Sequence, residues 1–207
     1  MYHRILIVII SLLILISCNS TTAKIDENCM MQNASRFIEP ENSLYNLPFG
    51  IGESYELRQG NCTFHTHSVE NKTEFAFDFI MDIGTPIHAA RSGQVAAIED
   101  RFFDGNNGED NYIIIAHEDK TFSYYVHLTN AGVTVEVGEF VNQGDVIGYS
   151  GDTGMKAIPH LHFHVIKPNE ECFQNGTLGI CPSIPLSFKN ASPNDKILNQ
   201  GLIYTAL

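Results

Sequence analysis

Residues 159–165, PHLHFHV, put three histidines on alternate positions, with Leu161, Phe163 and Val165 between them. Alternation with a period of two belongs to an extended strand, whose successive side chains point to opposite faces. His160, His162 and His164 therefore share one face, and the three apolar residues share the other, the buried one. A strand with a wholly apolar underside must lie on a core, so this stretch commits the chain to a sheet. One histidine on such a strand is commonplace, whereas three in register beside a glycine-rich loop point to a site.

The same short period recurs upstream. From GESYELRQG onward, alternating runs are broken by Gly, Asn, Asp and Pro, which predicts an all-β, mainly antiparallel architecture. In FAFDFIM, Phe75, Phe77 and Phe79 fall on one face and Ala76, Asp78 and Ile80 on the other, so a lone carboxylate lies opposite an aromatic row. GTPIHAARSGQVAAIED reads as a strand opened by Pro86, a Ser92-Gly93 turn and a returning strand. NYIIIAH reads as a strand buried on both faces, and FSYYVHL alternates with Tyr125 and His127 together. VTVEVGEFVNQGDVIGYSG gives two or three short strands turning at Gly138 and at residues 142–145. No segment carries a helical period of useful length. With 207 residues, 43% of them hydrophobic, the chain can bury one ordinary core but not two.

The opening MYHRILIVIISLLILISC has Arg4 in a short polar start, an apolar run from Ile5 to Ile16, then Ser17 and Cys18. The run is too short for a spanning helix and fits a secretory signal. Its ending, LISC, resembles the lipobox of bacterial lipoproteins. That resemblance implies removal of residues 1–17, lipidation of Cys18, and export to the bacterial cell envelope with a lipid anchor in the membrane, facing the periplasm or the cell surface. Residues 18–48, polar and rich in Asn, are expected to tether lipid to domain. The net charge of −12 argues against nucleic acid and anionic lipid headgroups as partners.

Setting Cys18 aside leaves Cys29, Cys62, Cys172 and Cys181, an even number in an exported chain, so disulfides are expected. Cys172 and Cys181 close a short loop containing Asn175, Gly176 and Gly179 and are expected to pair, which leaves Cys29 for Cys62. The Asn-x-Ser/Thr sequons, as at Asn71 and Asn175, have no evident use in such a protein.

Metal chemistry is the sharpest reading of the histidines. Catalytic zinc takes three ligands from His, Asp and Glu and leaves a position open for water. Asp78, His162 and one of His65 and His67 are candidate ligands, with His127 and His160 as acid–base or oxyanion groups.

FDFIMDIGTPIHAARSGQVAAI, YYVHL, VEVGEFVNQGDVIGYSGDTG and PHLHFHV stand in an order that resembles the LytM or lysostaphin-type zinc endopeptidases, peptidase family M23. The resemblance runs from about Gln59 to Val165. It implies a LytM-like fold of barrel-sandwich hybrid type with an open active-site groove, spanning 49–190 and followed by a C-terminal tail, 191–207. It implies a Zn2+ cofactor and hydrolysis of the peptide cross-links of peptidoglycan, whose stem peptides would be the partner. Carried over, the family's aspartate ligand falls on Asp78 and its second HxH ligand on His162, and its two catalytic histidines fall on His127 and His160.

Two positions depart from the pattern. The family's first ligand histidine commonly lies four residues before the aspartate, where this chain has Glu74. A subset places it farther upstream, as His67 or His65 would. His67 is the expected third ligand, with His65 or Glu74 as alternatives. His164 stands where the family often has an acidic or amide residue, and a partner to a ligand or a groove-lining side chain suits it better than a fourth ligand.

Other readings fit less well. A metal-free LytM-like module that binds or activates another cell-wall enzyme would have lost ligands that this chain keeps. A purely structural zinc would need a fourth ligand, which His164 could supply. GYSGDTG is neither GxSxG nor GDSGG, and the hammerhead of biotinyl carriers needs its lysine at a hairpin tip, whereas Lys156 lies in the glycine-rich loop.

Overall fold

The computed structural model describes residues 24–63, 65–154, 158–169, 172–174, 177–178 and 181–207. The expected signal segment 1–17, Cys18 and Asn175 lie outside them. A short helix α1 (Glu27–Asn33) is followed by β1 (Ser54–Gln59), β2 (Phe77–Ile80), β3 (Pro86–His88), β4 (Gly93–Glu99), β5 (Tyr112–Ala116), β6 (Phe122–Val126) and β7 (Leu128–Val133). Then come β8 (Phe140–Val141), β9 (Val146–Ser150), β10 (His160–Ile166), β11 (Phe173–Gln174), β12 (Thr177–Leu178), β13 (Ala191–Ser192) and β14 (Ile203–Ala206).

Nine strands form one antiparallel sheet in the order β13-β14-β1-β2-β10-β6-β5-β4-β8. A second sheet, β3-β9-β7, covers one of its faces. The buried side of the large sheet carries Leu57, Phe77, Phe79, Val95, Ile113, Ile115, Tyr125, Leu161, Phe163 and Val165, against Ile87, Leu128 and Ile147 from the small one. Phe188 wedges between the strands' aromatic rings, edge-on to Phe77 with centroids 5.0 Å apart. Aromatic pairs at this spacing add about 0.5–1.5 kcal/mol beyond the area they bury. The opposite face is open over β5 and β6 and is covered over β2 by the loop that carries His67.

Several sequence expectations change. NYIIIAH is not buried on both faces: Ile113 and Ile115 are in the core, while Tyr112 and Ile114 are half-exposed on the open face. The strands either side of Ser92-Gly93 do not pair with each other; β3 joins β9 and β4 joins β5 and β8. Phe75 leaves the aromatic row, because the strand begins only at Phe77. It packs instead with Cys29, Phe37 and Cys62.

Neither end of the described chain is loose. Within the segment expected as a tether, Asp26 caps α1 by accepting from the backbone N–H of Asn28 and Cys29, and Phe37, Tyr45 and Leu47 are buried. Residues 24–48 are thus part of the domain, because apolar residues spaced along a polar stretch found a surface to cover. The expected tail 191–207 supplies β13 and β14. β14 pairs with β1 through Tyr55 and Tyr204, and Tyr204 is fully buried. Disulfides join Cys29 to Cys62 and Cys172 to Cys181.

Candidate metal centre and active site

β2 and β10 run side by side with Asp78 directly opposite His162, and β10 pairs on its other edge with β6. Direct opposition on one face brings side chains together. The Asp78 Oδ1 atom lies 2.9 Å from His162 Nδ1 and 3.1 Å from His67 Nε2, and those two nitrogens are 3.3 Å apart. A tetrahedral zinc with bonds of 2.0–2.1 Å holds its ligand atoms roughly 3.4 Å from one another. The three atoms therefore fit that ion, and among the described residues they are the group with metal-binding spacing.

His67 comes from a loop, not from a strand. Its Nδ1–H donates to the Gly60 carbonyl at 2.9 Å, which leaves Nε2 with its lone pair toward Asp78. The loop folds on itself: the backbone N–H of Thr63 donates to the His67 carbonyl, and the Thr73 hydroxyl and Asn71 amide donate to the Thr66 carbonyl. The Cys29–Cys62 disulfide and the Ile25–Thr63 bridge fasten the start of this loop to the α1 segment. Of the alternatives, His65 is exposed, and Glu74 stands before β2 begins, beside Arg36 and Ser183, where burial pushes its carboxyl up. Glu74, four residues before Asp78, is not on β2 with it, because the chain turns at residues 74–75 before the strand begins at Phe77.

The charge states suit a cation. Burial pushes the Asp78 carboxyl up, but His67 and His162 outweigh it and hold the group well below the usual carboxylate range. Burial lowers the His162 imidazole to about 4 against the opposing pull of Asp78. An ionised carboxylate and neutral imidazoles are the forms that bind metal.

His127 and His160 stand beside these three residues, their rings 4.6 Å apart between centroids. By strand alternation His127 would point into the core with Tyr125. It does not, because its backbone is left-handed, with φ of +68°, and this turns its ring to the open face. Such a conformation is uncommon for a residue with a side chain and costs energy. Neighbouring contacts fix it: His127 Nδ1 donates to the Thr153 carbonyl at 2.8 Å, with Asp110 Oδ1 3.0 Å from the same nitrogen. Gly154 makes room, since a Cβ there would lie 1.5 Å from that carboxylate oxygen. His160 Nδ1 donates to the Ile158 carbonyl at 2.7 Å and its Nε2 is 3.6 Å from Asp78 Oδ1. Burial lowers its imidazole.

Gly60, Asp110, Thr153 and Ile158 thus aim the histidines, and sequence reasoning singled out none of them. The GYSGDTG loop carried the one available signal. It not only leads toward β10 but also supplies the carbonyl that holds His127. His164, whose role was open, stacks on Tyr124 with centroids 4.8 Å apart, and its Nδ1 lies 2.9 Å from His162 Nε2. Beyond it, Tyr124, Val126, Ile114, Tyr112, Phe102 and Glu99 line a cleft of about 500 Å³ on the open face.

An antiparallel sheet carrying a His-Asp-His group with metal-binding spacing, two further histidines and an adjacent open cleft is the arrangement a metal-dependent hydrolase requires. Residues 72–174 match peptidase family M23, and the chain carries a domain of that family. It is 39% identical over 90 residues to lysostaphin from Staphylococcus staphylolyticus, spanning 43% of this chain and 18% of that one. It is 36% identical over 89 residues to the peptidoglycan DD-endopeptidase ShyA of Vibrio cholerae serotype O1, spanning 43% of this chain and 19% of that one. The chain therefore spans about a fifth of the length of these relatives. Among solved structures, lysostaphin from Staphylococcus simulans superposes with a TM-score of 0.44 at 31% identity, over 56% of this chain and 43% of that one.

Proposed function

We propose that this protein is a zinc-dependent endopeptidase that hydrolyses peptide cross-links of bacterial peptidoglycan, working in the cell envelope. The observation that carries the reading is the convergence of His67, Asp78 and His162 within metal-binding distance, with His127 and His160 at their edge. The names of the relatives, a peptidoglycan DD-endopeptidase and lysostaphin, support the substrate class. The intact ligand set weighs against a metal-free activator of another cell-wall enzyme. Export through the segment 1–17 and anchoring through a lipidated Cys18 complete the proposal.

His67 Nε2, Asp78 Oδ1 and His162 Nδ1 would hold the ion. When bound, zinc polarises the scissile carbonyl and brings the pKa of water toward about 7. His127 and His160 both have Nδ1 tied to a backbone carbonyl, so Nε2 is the nitrogen each offers to the reaction. One, neutral, takes the proton from water at Nε2 and returns it to the leaving amine; the other, acting in its protonated form, donates its Nε2–H to the developing oxyanion. The Tyr112, Ile114 and Tyr124 side of the cleft would seat the stem peptide in extended form against the sheet. Incubating the purified protein with sacculi tests this: muropeptide analysis should show loss of cross-linked species, abolished by a chelator and restored by zinc. Intact cross-links with zinc-loaded protein would contradict it.

A further inference from the structure

A histidine can ligate a metal only through a ring nitrogen that carries no proton. Of the two ring nitrogens of His162, Nδ1 is the one facing Asp78 Oδ1 and His67 Nε2. The proton of the neutral ring must then sit on Nε2, and an N–H on a largely buried strand face needs an acceptor. The atom in place is His164 Nδ1, 2.9 Å away. Being two residues on in β10, His164 shares the His162 face, and the rings meet nearly at right angles, with centroids 5.1 Å apart. The His164 ring is itself held, because Tyr124 is its direct partner on β6 and stacks on it at an interplanar angle of 14°.

We propose that His164 is a positioning residue for the metal centre: by accepting from His162 Nε2–H it locks the tautomer that offers Nδ1 to the ion, and Tyr124 sets the plane in which it does so. The third histidine of PHLHFHV is then neither a fourth ligand nor a proton carrier. This inference rests on the zinc reading above and adds a role to it.

An outer hydrogen-bond partner of a metal-bound histidine is worth roughly 10- to 100-fold in metal affinity. His164→Phe keeps a flat ring for Tyr124 but has no acceptor, whereas His164→Asn keeps a carbonyl oxygen near the position of Nδ1. Zinc affinity measured by competition with a chromophoric chelator should fall roughly 10- to 100-fold in the Phe variant and be largely restored in the Asn variant. Far-UV circular dichroism and melting of the zinc-free forms separate this from misfolding. Zinc-edge X-ray absorption of the wild type should count two imidazoles. Wild-type affinity in the folded Phe variant, an Asn variant as weak as the Phe variant, or three imidazoles at the metal would each overturn the proposal. A wild type that takes up no zinc would instead remove the metal reading itself.

Discussion

Asp78 Oδ1 is the atom around which the site is built, with His67 Nε2, His162 Nδ1 and His160 Nε2 within 3.6 Å of it. Three imidazoles competing for one carboxylate oxygen is the arrangement a cation resolves. In isothermal titration with zinc, His67→Ala should lose more than the roughly 10- to 100-fold that a missing outer partner costs. His65→Ala and Glu74→Ala should bind as the parent does. The opposite ranking would move the third ligand. His127→Ala should keep stoichiometric zinc and lose turnover by about 100- to 10,000-fold, the usual worth of a general acid or base; near-parental cleavage would remove His127 from the chemistry.

At the scale of elements, the pieces with a local period were legible and those that depend on distant pairing were not. β10 could be read from PHLHFHV alone, because alternation fixes both faces of a strand without reference to neighbours. β14 could not, since its partner β1 lies some hundred and fifty residues earlier in the chain, at Ser54 to Glu56. The orientation of His127 was hidden for a different reason: a left-handed backbone at a non-glycine residue leaves no mark in the sequence, and here the Thr153 carbonyl and Asp110 determine it. The His67 loop was legible as a loop, but the Gly60 carbonyl that orients its ring was not. The burial of β14 carries a test. Tyr204 is fully buried, and its hydroxyl accepts from the Asn199 backbone and donates to Asp195. Tyr204→Ala should therefore cost about 3–5 kcal/mol in urea unfolding, and a loss below about 1 kcal/mol would mean that residues 191–207 contribute little to the fold.

For the molecule as a whole, site and stability are linked through protons. Burial lowers His162 from 6.5 to about 4, although Asp78 opposes it, and burial also lowers His117, His160 and His164. A histidine depressed on folding gives stability that is complete above its unfolded value and is lost as pH falls through its folded one. The depressed Asp78 acts in the same direction at lower pH. The melting temperature of the zinc-free protein should thus decline as pH is taken from 6.5 to 4, and zinc should raise it near neutrality by binding the folded state. A flat profile across that window would contradict the buried, neutral state of these rings. The central claim, that β2, β10 and the His67 loop together hold the catalytic ion, is tested most directly by anomalous diffraction at the zinc edge from crystals of the zinc-loaded protein. The account predicts one strong peak bounded by His67 Nε2, Asp78 Oδ1 and His162 Nδ1, with His127 and His160 outside bonding distance; a peak elsewhere, or one ligated by His164, would contradict it.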